Sequence, residues 1–159
     1  MINLSIAALS ILVLLLSYQN VLAGSDEGNK GWEIDSEYNS YYNAKELDKF
    51  KGKITKFVKV TPLPGMAPGT GFYFDEGAGE PILVHLCPAS FASAKATGLK
   101  KNIKTKIRGS WATIDGKDVF IASKVKQGEH FSFKARLTSN GKPFWTMDAE
   151  ELAYERANQ

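Results

Sequence analysis

Between Phe50 and Trp145 the chain is cut into short strand-like runs by turn-forming residues, and this punctuation constrains the fold more than any other feature. Phe50 to Val60 reads Phe-Lys-Gly-Lys-Ile-Thr-Lys-Phe-Val-Lys-Val, alternating apolar and basic residues with one slip near Lys56. Such alternation buries one face of a strand and wets the other, and a single slip marks a bulge. The next eleven residues, Thr61 to Gly71, hold three Pro and three Gly, which fix or free φ at alternate steps and stop both a helix and a strand ladder. Phe72 to Phe74 resumes the sheet, residues 75–80 turn it, and Ile82 to Leu86 runs back as a third strand. Asp115-Gly116 is predicted to join a strand at Ile103–Trp111 to one at Val119–Ala122, and Asn140-Gly141 to join Phe131–Leu137 to Phe144-Trp145. Alternation within Ile103–Trp111 sends Ile103, Ile107 and Trp111 toward a core and Lys104, Lys106 and Arg108 to the opposite face.

Two helices are predicted. Pro88 to Ala96 is Ala-rich, starts on a Pro suited to a first helical turn and has Gly98 for its stop, while Asp148 caps a weakly amphipathic stretch running to Arg156. The element order then predicts an all-β, OB-fold-like β-barrel with one short helix between strands 3 and 4, an added C-terminal hairpin and a short terminal helix. In domain terms this is a barrel over residues 49–147 and a helical tail over 148–159, preceded by an arm over 24–48 and a signal peptide over 1–23. The signal reading rests on the uncharged run Ile6 to Leu16 followed by Val21-Leu22-Ala23, a small-residue cleavage site. A run of eleven residues is far shorter than the roughly 20 a membrane-spanning helix needs, so the expectation is an exported protein of the periplasm or an equivalent compartment, without stable membrane insertion after cleavage. In an oxidising compartment the lone Cys87, set in an apolar strand, is best explained as a buried small hydrophobe.

Charge is distributed in blocks. Residues 24–48 carry two Lys against seven acids, residues 49–142 carry 17 bases against six acids, and residues 143–159 one Arg against four acids. A basic body with acidic ends attracts an anionic surface or folds its own ends back. The acidic N-terminal block also holds Trp32, Tyr38, Tyr41 and Tyr42, more rings than a solvated linker carries. Either this arm packs across its own barrel or its rings are anchors for a partner. The basic strands, with Lys51, Lys53, Phe57, Tyr73, Lys104, Lys106 and Arg108, are where an OB-like barrel would hold single-stranded nucleic acid, but an exported protein meets little of it.

No pattern for catalysis is visible. Ser90 and Ser110 lack Gly-x-Ser-x-Gly surroundings, there is no phosphate loop or dinucleotide fingerprint, and no Cys-x-x-Cys-His run for covalent haem. His85 and Cys87, at i and i+2 on a strand, would share a face and are the one metal-ligand pair to weigh; two ligands do not close a zinc site, so neither a metal nor another cofactor is expected. The motifs Gly65-Met66-Ala67-Pro68-Gly69, His85-Leu86-Cys87-Pro88, Gly109-Ser110, Ile121-Ala122 and Gly141-Lys142-Pro143-Phe144-Trp145 resemble those of small exported bacterial OB-fold proteins of unassigned function. In such proteins a Gly often stands at the position of Cys87. The resemblance implies a binding or assembly module of the cell envelope, some of which resemble accessory subunits of large respiratory complexes, and it implies no reaction.

The functional expectation is therefore a non-enzymatic, exported module that binds a protein partner as an accessory or scaffolding subunit. Its surfaces would be the aromatic arm (Trp32, Tyr38, Tyr41, Tyr42), the Pro/Gly loop (Met66, Pro68) and the basic face (Lys104, Lys106, Arg108). The alternatives are an oligonucleotide or polyanion binder and a small periplasmic metal-handling protein.

Overall fold

The computed structural model describes residues 27–158; the signal-peptide reading of residues 1–23 and the start of the arm lie outside the described residues. Six strands form the sheet: β1 (Asp48–Val60), β2 (Gly69–Asp75), β3 (Ile82–Pro88), β4 (Lys104–Ile114), β5 (Lys117–Gln127) and β6 (Phe131–Lys134). All neighbours pair antiparallel except β3 and β5, whose short parallel contact, Val84 with Phe120 and His85 with Ile121, closes the ring β1-β2-β3-β5-β4 back onto β1. Closure removes the sheet edges that a small open sheet would expose. The all-β barrel class expected from the strand punctuation is what the chain forms.

The local devices also agree. The slip near Lys56 is a bulge between Ile54 and Lys56 that shifts the β1–β2 register. Asp115 and Gly116 both adopt positive φ, 49° and 73°, as a two-residue hairpin with the twist of its strands requires. Asp148 caps the terminal helix, α2 (Ala149–Ala157), by accepting from the Glu151 amide at 2.8 Å.

Three expectations need correction. Pro88 to Ala96 is not helical: Pro88 ends β3, and the residues after it form turns in which Ser93 Oγ accepts from the Ala96 amide and Thr97 Oγ donates to the Ala94 carbonyl. Nine residues make a marginal helix, and Ser and Thr offer their own backbone a competing set of bonds. Phe144-Trp145 is not a strand either. The Asn140-Gly141 turn forms, but after one bridge between Arg136 and Pro143 the chain enters a 3-10 turn over Phe144–Thr146, which aims Trp145 Nε1 at the Trp32 carbonyl, 2.7 Å away. Finally, of the three residues sent to the core from β4, Ile107 is buried, Trp111 lies against Phe50 and Phe120 while remaining 41% exposed at the barrel's end, and Ile103 precedes the strand and is equally exposed.

The apolar residues form two clusters. One fills the barrel with Ile54, Phe72, Phe74, Val84, Leu86, Ile107, Phe120 and Val125. The other lies on the barrel's outside, where Val60, Ala112, Ile114, Val119 and Ile121 are covered by Trp32 and Tyr38 of the N-terminal segment. That segment contains a short helix, α1 (Glu37–Ser40), capped by Ser36.

Candidate functional site

Strand alternation leaves the outer face of the sheet with two halves. On one, β4 and β5 present the apolar residues of the second cluster to the N-terminal segment. On the other, the same strands and β1 present cations. The registers are direct: Lys49 faces Arg108, Lys51 faces Lys106 and Lys53 faces Lys104 across β1–β4. Lys106 in turn faces Lys126, Arg108 faces Lys124, and Lys124 faces Lys134 across β4–β5–β6. Nine cationic side chains thus stand opposite one another over four strands. Among the described residues the only ion pairs are Glu129 with His130 and Lys142 with Glu151, so no acid of the described residues pairs with this face.

Like charges directly opposite in a ladder destabilise it, so such an array works against folding. Its own electrostatics show this: partial burial, followed by the charges of Lys134, Lys126 and Arg108, lowers the pKa of Lys124. Arg108 Nε is buried without an acceptor. A shallow groove of about 380 Å³ runs between Lys49, Lys51, Lys106, Arg108, Lys124 and Lys126, with backbone and inward-pointing Phe50 and Ile107 as its floor. Chemically the groove is a multivalent binding surface for carboxylates or phosphates.

The aromatic residues expected to anchor a partner are placed differently. Trp32 and Tyr38 are each 1% exposed. Trp32 donates from Nε1 to the Ala67 carbonyl at 2.8 Å and meets the rings of Tyr38 and Trp145 edge-on, at 4.8 and 5.8 Å between centroids. Gly69 makes room for it, since a Cβ there would run into the indole. Tyr41, Tyr42 and Met66 are half-buried against the same cluster. The arm is therefore seated on its own barrel, held also by bonds from Ala67 N to Lys30 O and from Asn43 N to Ser110 Oγ. Trp32 and Tyr38 have no surface to offer another chain, because burying them here is worth more than leaving them wet for a partner. Pro68 is exposed beside the seat, and Lys104, Lys106 and Arg108 remain on the open face.

His85 and Cys87 do not share a face. A register shift between Thr70 and Gly71 skips Leu86, which puts Leu86 and Cys87 together in the barrel cluster and turns His85 toward the second cluster, with Nδ1 3.3 Å from Tyr38 Oη. Burial pushes the His85 pKa down to about 4 and raises that of Tyr38, with the nearby Arg136 charge opposing the latter. No three His, Cys, Asp or Glu residues come together in a metal-binding arrangement among the described residues. Burial likewise pushes the Cys87 thiol up to about 12, and the thiol donates to the Ala92 carbonyl at 3.6 Å. The thiolate is the reactive form. Native protein is thus expected to resist a thiol reagent at neutral pH, with one thiol labelled only after denaturation; prompt labelling in the native state would show that the barrel interior opens.

Reading the sequence for basic strands identified Lys51, Lys53, Lys104, Lys106 and Arg108 but missed Lys49, Lys124, Lys126 and Lys134. The alternating run Lys124-Val125-Lys126 carried the signal; what it lacked was the pairing partner. Among the described residues no helix is long and apolar enough to cross a membrane. The model of the MamS/MamX magnetosome protein family matches residues 46–132, which hold every cation of the face except Lys134. No curated protein and no solved structure matches.

Proposed function

The chain belongs to the MamS/MamX magnetosome protein family, and from that premise we propose that it is a non-enzymatic, exported accessory module that docks its cationic sheet face on an acidic protein partner in a magnetosome assembly. One observation carries this reading: cations stand opposite cations in the ladders of β1, β4, β5 and β6, with no acid among the described residues to neutralise them. An arrangement that costs stability and has no internal purpose is explained by a complementary charge supplied from outside. The match of the family to the strands bearing the face supports the same reading.

A nucleic-acid strand would use the same charges but also needs aromatic platforms for its bases. The side chains opposite one another on the cationic face are Lys and Arg, while Phe50 points inward against Phe120 and Phe57 packs on Phe72. The face fits carboxylates of a protein better than stacked bases.

The test is a triple variant, Lys51→Glu, Lys106→Glu and Lys126→Glu, in the full chain. Wild-type protein is expected to co-purify from its host with an acidic protein in a salt-sensitive manner. The variant should fold normally and capture that protein at least tenfold more weakly. Undiminished capture would sink the proposal, as would tight, steeply salt-dependent binding of single-stranded oligonucleotides with no protein partner.

A further inference from the structure

Where the N-terminal segment meets the end of β6, a guanidinium is buried with most of its donors idle. Arg136 is 1% exposed. Its Nη1 donates to Asn39 Oδ1 at 2.6 Å and to the Gly141 carbonyl at 3.2 Å. Among the described residues, Nε and Nη2, both buried, have no acceptor, and the buried Tyr42 Oη has no partner either. The guanidinium carbon lies 4.6 Å from the centre of the Tyr42 ring and 5.1 Å from that of Trp145. No carboxylate among the described residues pairs with it. A cavity of about 230 Å³ adjoins it, lined also by Ile34, Asn39, Tyr42, Asn140 and Lys142. Lys142 is engaged with Glu151.

A buried cation without an anion is strongly unfavourable, and the two ring faces offset only part of that. Burial works against the charge of Arg136, and the phenols of Tyr38 and Tyr42 oppose that only in part. The idle atoms also have a shape. Nε and Nη2 form one edge of the planar guanidinium fork, the edge that grips both oxygens of a carboxylate, and a phenol hydroxyl alongside supplies a further donor.

We propose that Arg136 and Tyr42 form a site for a single carboxylate, reached through the adjoining cavity, independent of the cationic face. The group comes either from a small free carboxylic acid or from an Asp or Glu side chain of a partner; the chemistry is the same. The fixed edge and the aromatic walls favour a planar anion over a spherical or tetrahedral one.

The experiment follows the Arg136 Nε–H resonance of the full-length, isotope-labelled protein during titration at constant ionic strength. Acetate represents the free acid and doubly blocked glutamate the side chain, with chloride and phosphate as controls. A saturable shift with either carboxylate, reduced several-fold in Tyr42→Phe and lost in Arg136→Gln, supports the site. Tighter binding of blocked glutamate assigns the protein source, and tighter binding of acetate the free acid. No saturable shift with either carboxylate, or an equal response to chloride or phosphate, overturns the proposal. Should Arg136→Gln fail to fold, the wild-type titration and Tyr42→Phe decide it. The triple variant of the cationic face should titrate as wild type does, so this proposal and the docking proposal fail separately.

Discussion

Replacing Trp32 with Ala is expected to lower the free energy of unfolding by about 3–5 kcal/mol, the range found when a buried aromatic is cut back to a methyl group. The residue lies well outside the barrel strands in sequence, yet its ring sits between Tyr38, Trp145 and the floor left open by Gly69. Truncation removes these contacts, leaves the Ala67 carbonyl without its donor, and opens a void that the rigid strands beneath cannot collapse to fill. Equilibrium denaturation in urea measures the effect. A loss below about 1 kcal/mol, on the low side for any buried aromatic, would mean that the N-terminal segment is an ornament on a barrel that is complete without it.

Acidification should produce the second large effect. His85 has a pKa of about 4 in the folded protein because burial disfavours its charged form. In the unfolded chain the value returns to about 6.5. Between these two values the unfolded chain binds a proton that the folded one refuses, so stability is complete above about pH 6.5 and is lost as the pH falls toward 4. The depression corresponds to about 3 kcal/mol across that window. Tyr38 is hydrogen-bonded to the ring, and Lys59, Lys117 and Asp115 line the cavity at its edge. The variant His85→Gln removes the titrating group while leaving these in place. Denaturation at pH 7, 5.5 and 4.5 should give a steep fall for the wild type and a clearly flatter one for the variant, since carboxylate titration is common to both. Parallel curves would show that His85 takes up its proton without cost, which burial at this level does not allow.

The barrel was legible because its cues are local. Alternation in Phe50–Val60 and Ile103–Trp111 sets strand faces, Asp115-Gly116 sets a hairpin, and the Pro/Gly density of Thr61 to Gly71 ends a strand, each within a few residues. Where local cues competed, reading failed. The Ala-rich Pro88 to Ala96 has helical composition, but Ser93 and Thr97 bond to the backbone beside them and the chain settles into turns. The pairing of His85 with Cys87 followed from strand periodicity and was undone by a one-residue bulge, which no property of Leu86 announces.

The sequence by itself determined that this is a small barrel with a basic body, because strand faces and charges are written residue by residue. Only the tertiary structure decided which surfaces are free. Whether Trp32 and Tyr38 reach outward or inward depends on an apolar patch assembled from Val60, Ile114, Val119 and Ile121, residues far apart in the chain. The same holds for charge: Lys51, Lys106 and Lys126 are separate surface lysines until strand pairing sets them in one row, and Arg136 is an ordinary cation until folding buries it with no carboxylate of the described residues paired to it. Burial and cross-strand adjacency are properties of pairs brought together at long range, and a linear pattern carries no record of those pairs.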